Sequence, residues 1–165
     1  MRWVAAILLL ILCLSLIAPV SALYENRYSY ISVNTVTVHL EEKSATIDVD
    51  YTIDDEIQLL VSILGRTDLN RKVMHIINYD NARIQQIDMT HARLIVDNAS
   101  NDYGAGSFWF PSHQFGVTIP DLEVTSPQTS KNFTSTAVFP KGMGYFGAEA
   151  PPVQTAAVLT TPLNF

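Results

Sequence analysis

From Ala45 to Ile53 apolar and polar residues alternate without a break. Ala45, Ile47, Val49, Tyr51 and Ile53 stand against Thr46, Asp48, Asp50 and Thr52. A period of two with one apolar side predicts a half-buried strand. The stretch before it carries Val36, Val38 and Leu40 on its apolar side. A loop of Glu41-Glu42-Lys43-Ser44 pairs Leu40 with Ala45, Val38 with Ile47 and Val36 with Val49. Every inward pair is then apolar, so pattern and turn length agree on one register for a hairpin over 31–53. Upstream, Ile31 and Val33 have the opposite parity, which predicts a bulge near Asn34-Thr35.

The period then changes. Ile57, Leu60, Val61 and Leu64 fall on one helix face, with Asp54, Asp55 and Glu56 at the start, where the helix dipole favours anions. Gly65 stands where a left-handed residue ends a helix. Leu59 and Ile63 add a second stripe, which predicts burial on more than one side. A second helix follows at once, with Asp68 as N-cap and Leu69, Val73, Ile76 and Ile77 along one face. Arg66-Thr67 only turns the chain back, so a helical pair near 55–78 forms an αα-hairpin. Arg71 and Lys72 sit near the start of this second helix, against its dipole.

From Ala82 the chain returns to strands. Ala92, Leu94 and Val96 alternate with Arg93 and Asp97, and a parity slip from Ile84 to Ile87 predicts a bulge near Gln85-Gln86. Further runs lie at 107–110, 115–119, 122–125 and 131–139, with Pro111, Pro120 and Pro127 between them. The pattern predicts a mainly β fold. Its expected form is a β-sandwich or barrel-like arrangement of about eight short antiparallel strands with an inserted αα-hairpin.

The two ends differ from this body. Met1-Arg2 precedes an apolar run from Trp3 to Leu14, then Leu16, Ile17, Ala18, Pro19 and the small residues Ser21 and Ala22. These are the parts of a secretory signal, cleaved after Ala22, or of an anchor retained over residues 3–20. Both place the remainder outside the cytoplasm, with membrane contact only through the N-terminal segment if it is uncleaved. Residues 1–22 thus form the signal or anchor, 23–146 the β-rich domain, and 147–165 an Ala/Pro/Thr-rich tail in which Pro151-Pro152 bars a helix.

Composition sharpens the picture. Removing 22 of 165 residues leaves 143, enough for one domain with a substantial core. Cys13, the one cysteine, lies within the apolar run, so the mature chain is expected to fold without disulfides or thiolate chemistry. The formal charge of −6 becomes −7 when Arg2 is lost, and the acids are spread along the chain without a basic stripe. Nucleic acid is therefore not an expected partner.

Among short motifs, Asn98-Ala99-Ser100 and Asn132-Phe133-Thr134 are N-glycosylation sequons, which makes Asn98 and Asn132 candidate modification sites in an exported chain. Gly142-Met143-Gly144-Tyr145-Phe146-Gly147 spells a dinucleotide fingerprint, but Pro151-Pro152 prevents the helix that must follow, so a flexible Gly-aromatic turn is expected and no cofactor. Asp48 and Asp50 share a strand side near Asp54 and Asp55, with Thr35 and Thr37 opposite; an acidic solvent face explains them better than a calcium site. His39, His75, His91 and His113 have no metal-ligand spacing, so no metal site is assigned. Catalytic residues are not singled out by any motif.

Tyr103, Phe108, Trp109, Phe110 and Phe115 crowd one segment around Gly104 and Gly106. Alternation points Phe108 and Phe110 one way and Trp109 the other. If both sides are covered, Trp109 is core. If not, Tyr103, Trp109 and His113 are candidate ligand-binding residues. The core placement is the expectation. Asp97-Asn98-Ala99-Ser100, Tyr103-Gly104, Trp109-Phe110-Pro111, His113, Phe115-Gly116-Val117-Thr118-Ile119-Pro120 and Ser126-Pro127-Gln128-Thr129 resemble a set of small exported proteins from methanogenic archaea. That resemblance implies an envelope location and transfers no activity. The expected function is that of an exported or envelope-associated β-domain with a binding or structural role toward an envelope or extracellular partner. The alternative is an exported hydrolase that works through carboxylates, with His113 as a candidate participant.

Overall fold

The computed structural model describes residues 26–148. The N-terminal signal or anchor and the tail from residue 149 onward lie outside the described residues. In order, the elements are β1 (Arg27–Tyr28), β2 (Ile31–Glu41), β3 (Ser44–Ile53), α1 (Asp55–Leu64), α2 (Thr67–Ile77), β4 (Ala82–Ile87), β5 (His91–Val96), β6 (Asn101–Gly104), β7 (Ser107–Phe110), β8 (His113–Thr125), β9 (Ser130–Phe139) and β10 (Met143–Phe146). The fold is mainly β, with the helical pair where the change of period placed it.

Two open sheets form. The large one runs β4-β5-β3-β2-β8-β9, with β1 also on β2, and the small one runs β10-β7-β6. The hairpin register is the expected one: Leu40 pairs with Ala45, Val38 with Ile47 and Val36 with Val49. Glu41 pairs with Ser44, so the turn proper is Glu42-Lys43, with Glu42 at φ 49°. The register shifts between Val33 and Thr35 and between Ile84 and Gln86, where the parity slips placed bulges. One pairing departs from the antiparallel expectation. Thr35–His39 of β2 run parallel to Asp121–Thr125 of β8. The runs at 115–119 and 122–125 are one long strand, which passes through Pro120. Pairing with β2 begins only at Asp121, so the missing N–H of Pro120 costs that ladder nothing.

The apolar side of the large sheet and the covering elements make one core. Ile31, Val36, Val49, Leu94 and Leu122 come from the sheet, Leu69, Val73, Ile76 and Ile77 from α2, and Phe110, Met143 and Tyr145 from the small sheet. Helix α2 packs against β8 and β4. It approaches β8 closely because residue 116 is glycine: a Cβ there would lie 2.4 Å from the carbonyl oxygen of His75. Asp68 is not the N-cap. Arg66 occupies that position without a side-chain cap bond. Asp68 instead accepts a hydrogen bond from the Tyr30 hydroxyl at 2.9 Å and lies 3.6 Å from both Arg71 and Lys72. The Lys72 ammonium also sits over the rings of Tyr28 and Tyr30. Local charge pairing thus accounts for two cations at a helix start. Helix α1 departs further from expectation: of its apolar residues only Val61 is buried, and its second stripe faces outward.

Candidate binding surface

Strand β7 divides the aromatic segment as alternation requires. Phe108 and Phe110 are buried, and Trp109 points to the other side with 39% of its surface exposed. The inward rings are built into the core. Phe110 meets Phe139 with centroids 5.3 Å apart, and Phe108 meets Tyr145 at 5.7 Å. The Tyr145 hydroxyl, held between the Glu42 carbonyl and the Ser100 hydroxyl, ties the small sheet to the β2–β3 turn. Its burial raises its pKa.

The expected core placement of Trp109 is not what the fold produces. The inner side of the small sheet is packed through Phe108, Phe110, Met143 and Tyr145, whereas Trp109 on the outer side keeps solvent access. What Trp109 touches is a glycine floor. A Cβ at Gly142 would lie 2.8 Å from Cζ2 of the indole, and one at Gly144 would lie 3.4 Å from Cε3. The indole therefore rests flat on β10, and glycine is required at 142, where φ is also +65°. The segment expected to be a flexible Gly-aromatic turn is consequently a strand. Met143 and Tyr145 face inward, and Gly144 and Phe146 outward.

Register aligns Asn101, Trp109 and Gly144 in one row across the three strands. Phe146 is exposed beside them, and its backbone N–H and carbonyl are both held by the Gln128 side-chain amide at 3.0 Å. A shallow recess of about 470 Å³ opens there, bounded by Ser107, Gln128 and Phe146 among others. Tyr103 stands 72% exposed at the β6 bulge, next to Asp102. Asp102 is fixed by the Gly104 N–H at 2.7 Å and by Lys43 at 3.0 Å, and these donors lower its pKa. The outer side thus combines the indole, exposed Phe146 and the polar Asn101, with Tyr103 exposed at the bulge, while Asp102 lies in the row of Phe108 and Tyr145.

His113 belongs elsewhere. Its ring stacks on Tyr79 at 3.7 Å, meets the edge of Phe115 at 4.9 Å, and donates from Nε2 to the Ile77 carbonyl at 2.7 Å. Burial lowers its pKa, opposed by that bond. It locks α2 to the start of β8, as a packed, hydrogen-bonded histidine does.

The polar side of the large sheet carries a charge network across β3 and β5. Arg93 grips Asp48 with two bonds, at 2.7 and 3.1 Å. His91 reaches Asp50 through Nδ1 at 2.8 Å and Asp48 through Nε2 at 3.2 Å. Thr37 and Thr35 lie opposite the two aspartates, as the hairpin register implies. Among the described residues, no group of three or more His, Cys, Asp or Glu is arranged to hold a metal. Both Asp48 oxygens are engaged by Arg93. Asn98 is exposed in the turn after β5 with φ 54°, and Asn132 is exposed on β9. A larger recess of about 610 Å³ lies beside Asn98, lined by Glu41, Glu42 and Asp97 with Lys43. Its carboxylates converge on no histidine.

Compared with known proteins, the chain matches no family model and no curated protein.

Proposed function

We propose that this protein is an exported, envelope-associated binding domain whose contact surface is the outer side of the small sheet. The observation that carries this reading is the half-exposed indole of Trp109 lying flat on Gly142 and Gly144. A flat aromatic face flanked by Asn101 in the same row, with Tyr103 exposed at the adjoining bulge, suits the apolar side of a sugar ring, whose hydroxyls meet these polar groups. Aromatic residues of this kind supply large contact area and dominate binding energy at recognition sites. The N-terminal signal or anchor would deliver the domain to envelope polysaccharides, and exposed Asn98 and Asn132 would accept glycans there.

The hydrolase alternative needs His113 beside a carboxylate in a cleft. The Nε2 of His113 faces the Ile77 carbonyl instead, so the geometry favours binding. Titration of the folded chain carrying Trp3→Phe with soluble oligosaccharides, followed by Trp109 emission, tests the proposal. A saturable emission shift that Asn101→Ala weakens supports it; an emission indifferent to every saccharide overturns it.

A further inference from the structure

We propose that the exposed edge of α1, formed by Leu59, Leu60, Ile63 and Leu64, rests on the lipid bilayer into which residues 3–20 insert. These four side chains are between 48% and 78% exposed, an unusual concentration of bare aliphatic surface on one ten-residue helix. By helical geometry they cover an arc of about 140°, centred well away from Val61, which faces the core.

The path of the chain identifies what covers them. The Arg27 guanidinium is paired with Asp54, the residue just before α1, and the Asp54 N–H donates to the Tyr30 carbonyl at 3.1 Å. The N-terminal segment therefore joins the domain at the first turn of α1. Only residues 21–26 separate Val20 from Arg27, a reach of at most about 25 Å when extended. Helix α1 is about 15 Å long. A bilayer holding residues 3–20 is thus within reach of the whole helix. The charge distribution fits an interfacial seat on uncharged lipid. Asp55 and Glu56 occupy the first turn, while the four apolar residues fill the later turns and lead to Arg66. Such a helix sinks its apolar side to the acyl boundary and keeps its polar side in water. The inference requires residues 3–20 to stay with the chain.

The test uses the full chain with Cys13→Ser, reconstituted in phosphatidylcholine vesicles at fewer than one chain per vesicle. A nitroxide is attached at Ile63→Cys, at Leu64→Cys or at Lys43→Cys. Lys43 lies at the opposite end of β3, roughly 30 Å from α1 by strand rise. The expected result is that labels at 63 and 64 are relaxed by oxygen and protected several-fold from an aqueous nickel chelate, whereas the label at 43 is not. Equal access of the chelate to all three overturns the proposal. So does protection that appears only when several chains share a vesicle, which would mean a second copy covers α1. Protection that persists in protein left unbound in water also overturns it, since the N-terminal segment itself would then cover the helix.

Discussion

On the polar side of the large sheet, polar groups engage one another: Asp48 is gripped by Arg93, and Asp50 is contacted by His91 Nδ1 at 2.8 Å. On the outer side of the small sheet, an indole lies on bare glycine and two further aromatics stand in solvent. Both surfaces are the outward halves of strands whose inward halves build one core. The first has its functional groups consumed by one another. The second keeps apolar area that no part of the described fold covers. Polar residues can satisfy themselves within a surface, whereas exposed aromatic area is relieved only by something that docks on it, and this is why the second surface is the better candidate for function.

The sharpest way to break this contrast is to invert one residue of the hairpin. Val49 is fully buried, whereas the neighbouring Asp48 is only partly buried, on the polar side and paired with Arg93. Val49→Asp should abolish the cooperative thermal transition, since a buried, unpaired carboxylate costs several kcal/mol, about the whole margin of a small domain. A normal melt for that variant would mean the inward side is wrongly assigned. Next in size, Phe110→Ala should cost about 3–5 kcal/mol in urea unfolding, as truncation of a large core ring does. Trp109→Ala, one residue away on the outer side, should cost only about 1 kcal/mol. Equal losses would erase the distinction between the two sides of β7.

The helical pair offers the same contrast. Leu69→Ala in α2 should cost about 2–5 kcal/mol, while Leu60→Ala in α1 should change stability by less than about 0.5 kcal/mol. Smaller still is a pH effect. His113 is buried with its pKa held below the ordinary histidine value. The unfolded chain takes up a proton near pH 6.5 that the folded chain resists. Stability should therefore be fully present above about pH 6.5 and fall as the pH drops below it, by at most about 1.4 kcal/mol per pH unit from this group. His113→Phe keeps a ring against Tyr79, and its stability should fall less steeply between pH 6.5 and 5.

Much of this architecture was legible in the residue pattern. Alternation and turn length set the β2–β3 register, the parity slips located both bulges, and the 3.6-residue period located both helices. Each of those features depends on neighbours in sequence. What the pattern could not show depends on distant partners. The parallel pairing of β2 with β8 joins segments some eighty residues apart, as Val36 and Leu122 illustrate. Apolar periodicity in α1 marked an apolar side but not whether the fold would cover it. Core is the expectation for Trp109 from sequence because large aromatics dominate cores. Its placement was decided by Gly142 and Gly144, which accept the indole from thirty residues away. Tyr103 and His113 were grouped with it by proximity in sequence. The fold leaves Tyr103 exposed on the neighbouring strand and commits His113 to Tyr79 and Ile77.

The central claim is that Trp109 is a surface residue which binds. It is tested most directly in a folded full-length chain carrying Trp3→Phe, so that Trp109 alone emits. Acrylamide should quench this emission efficiently, and a saturating oligosaccharide should shield it. Emission that acrylamide cannot reach without denaturant would return Trp109 to the core and rule out a binding surface built on it.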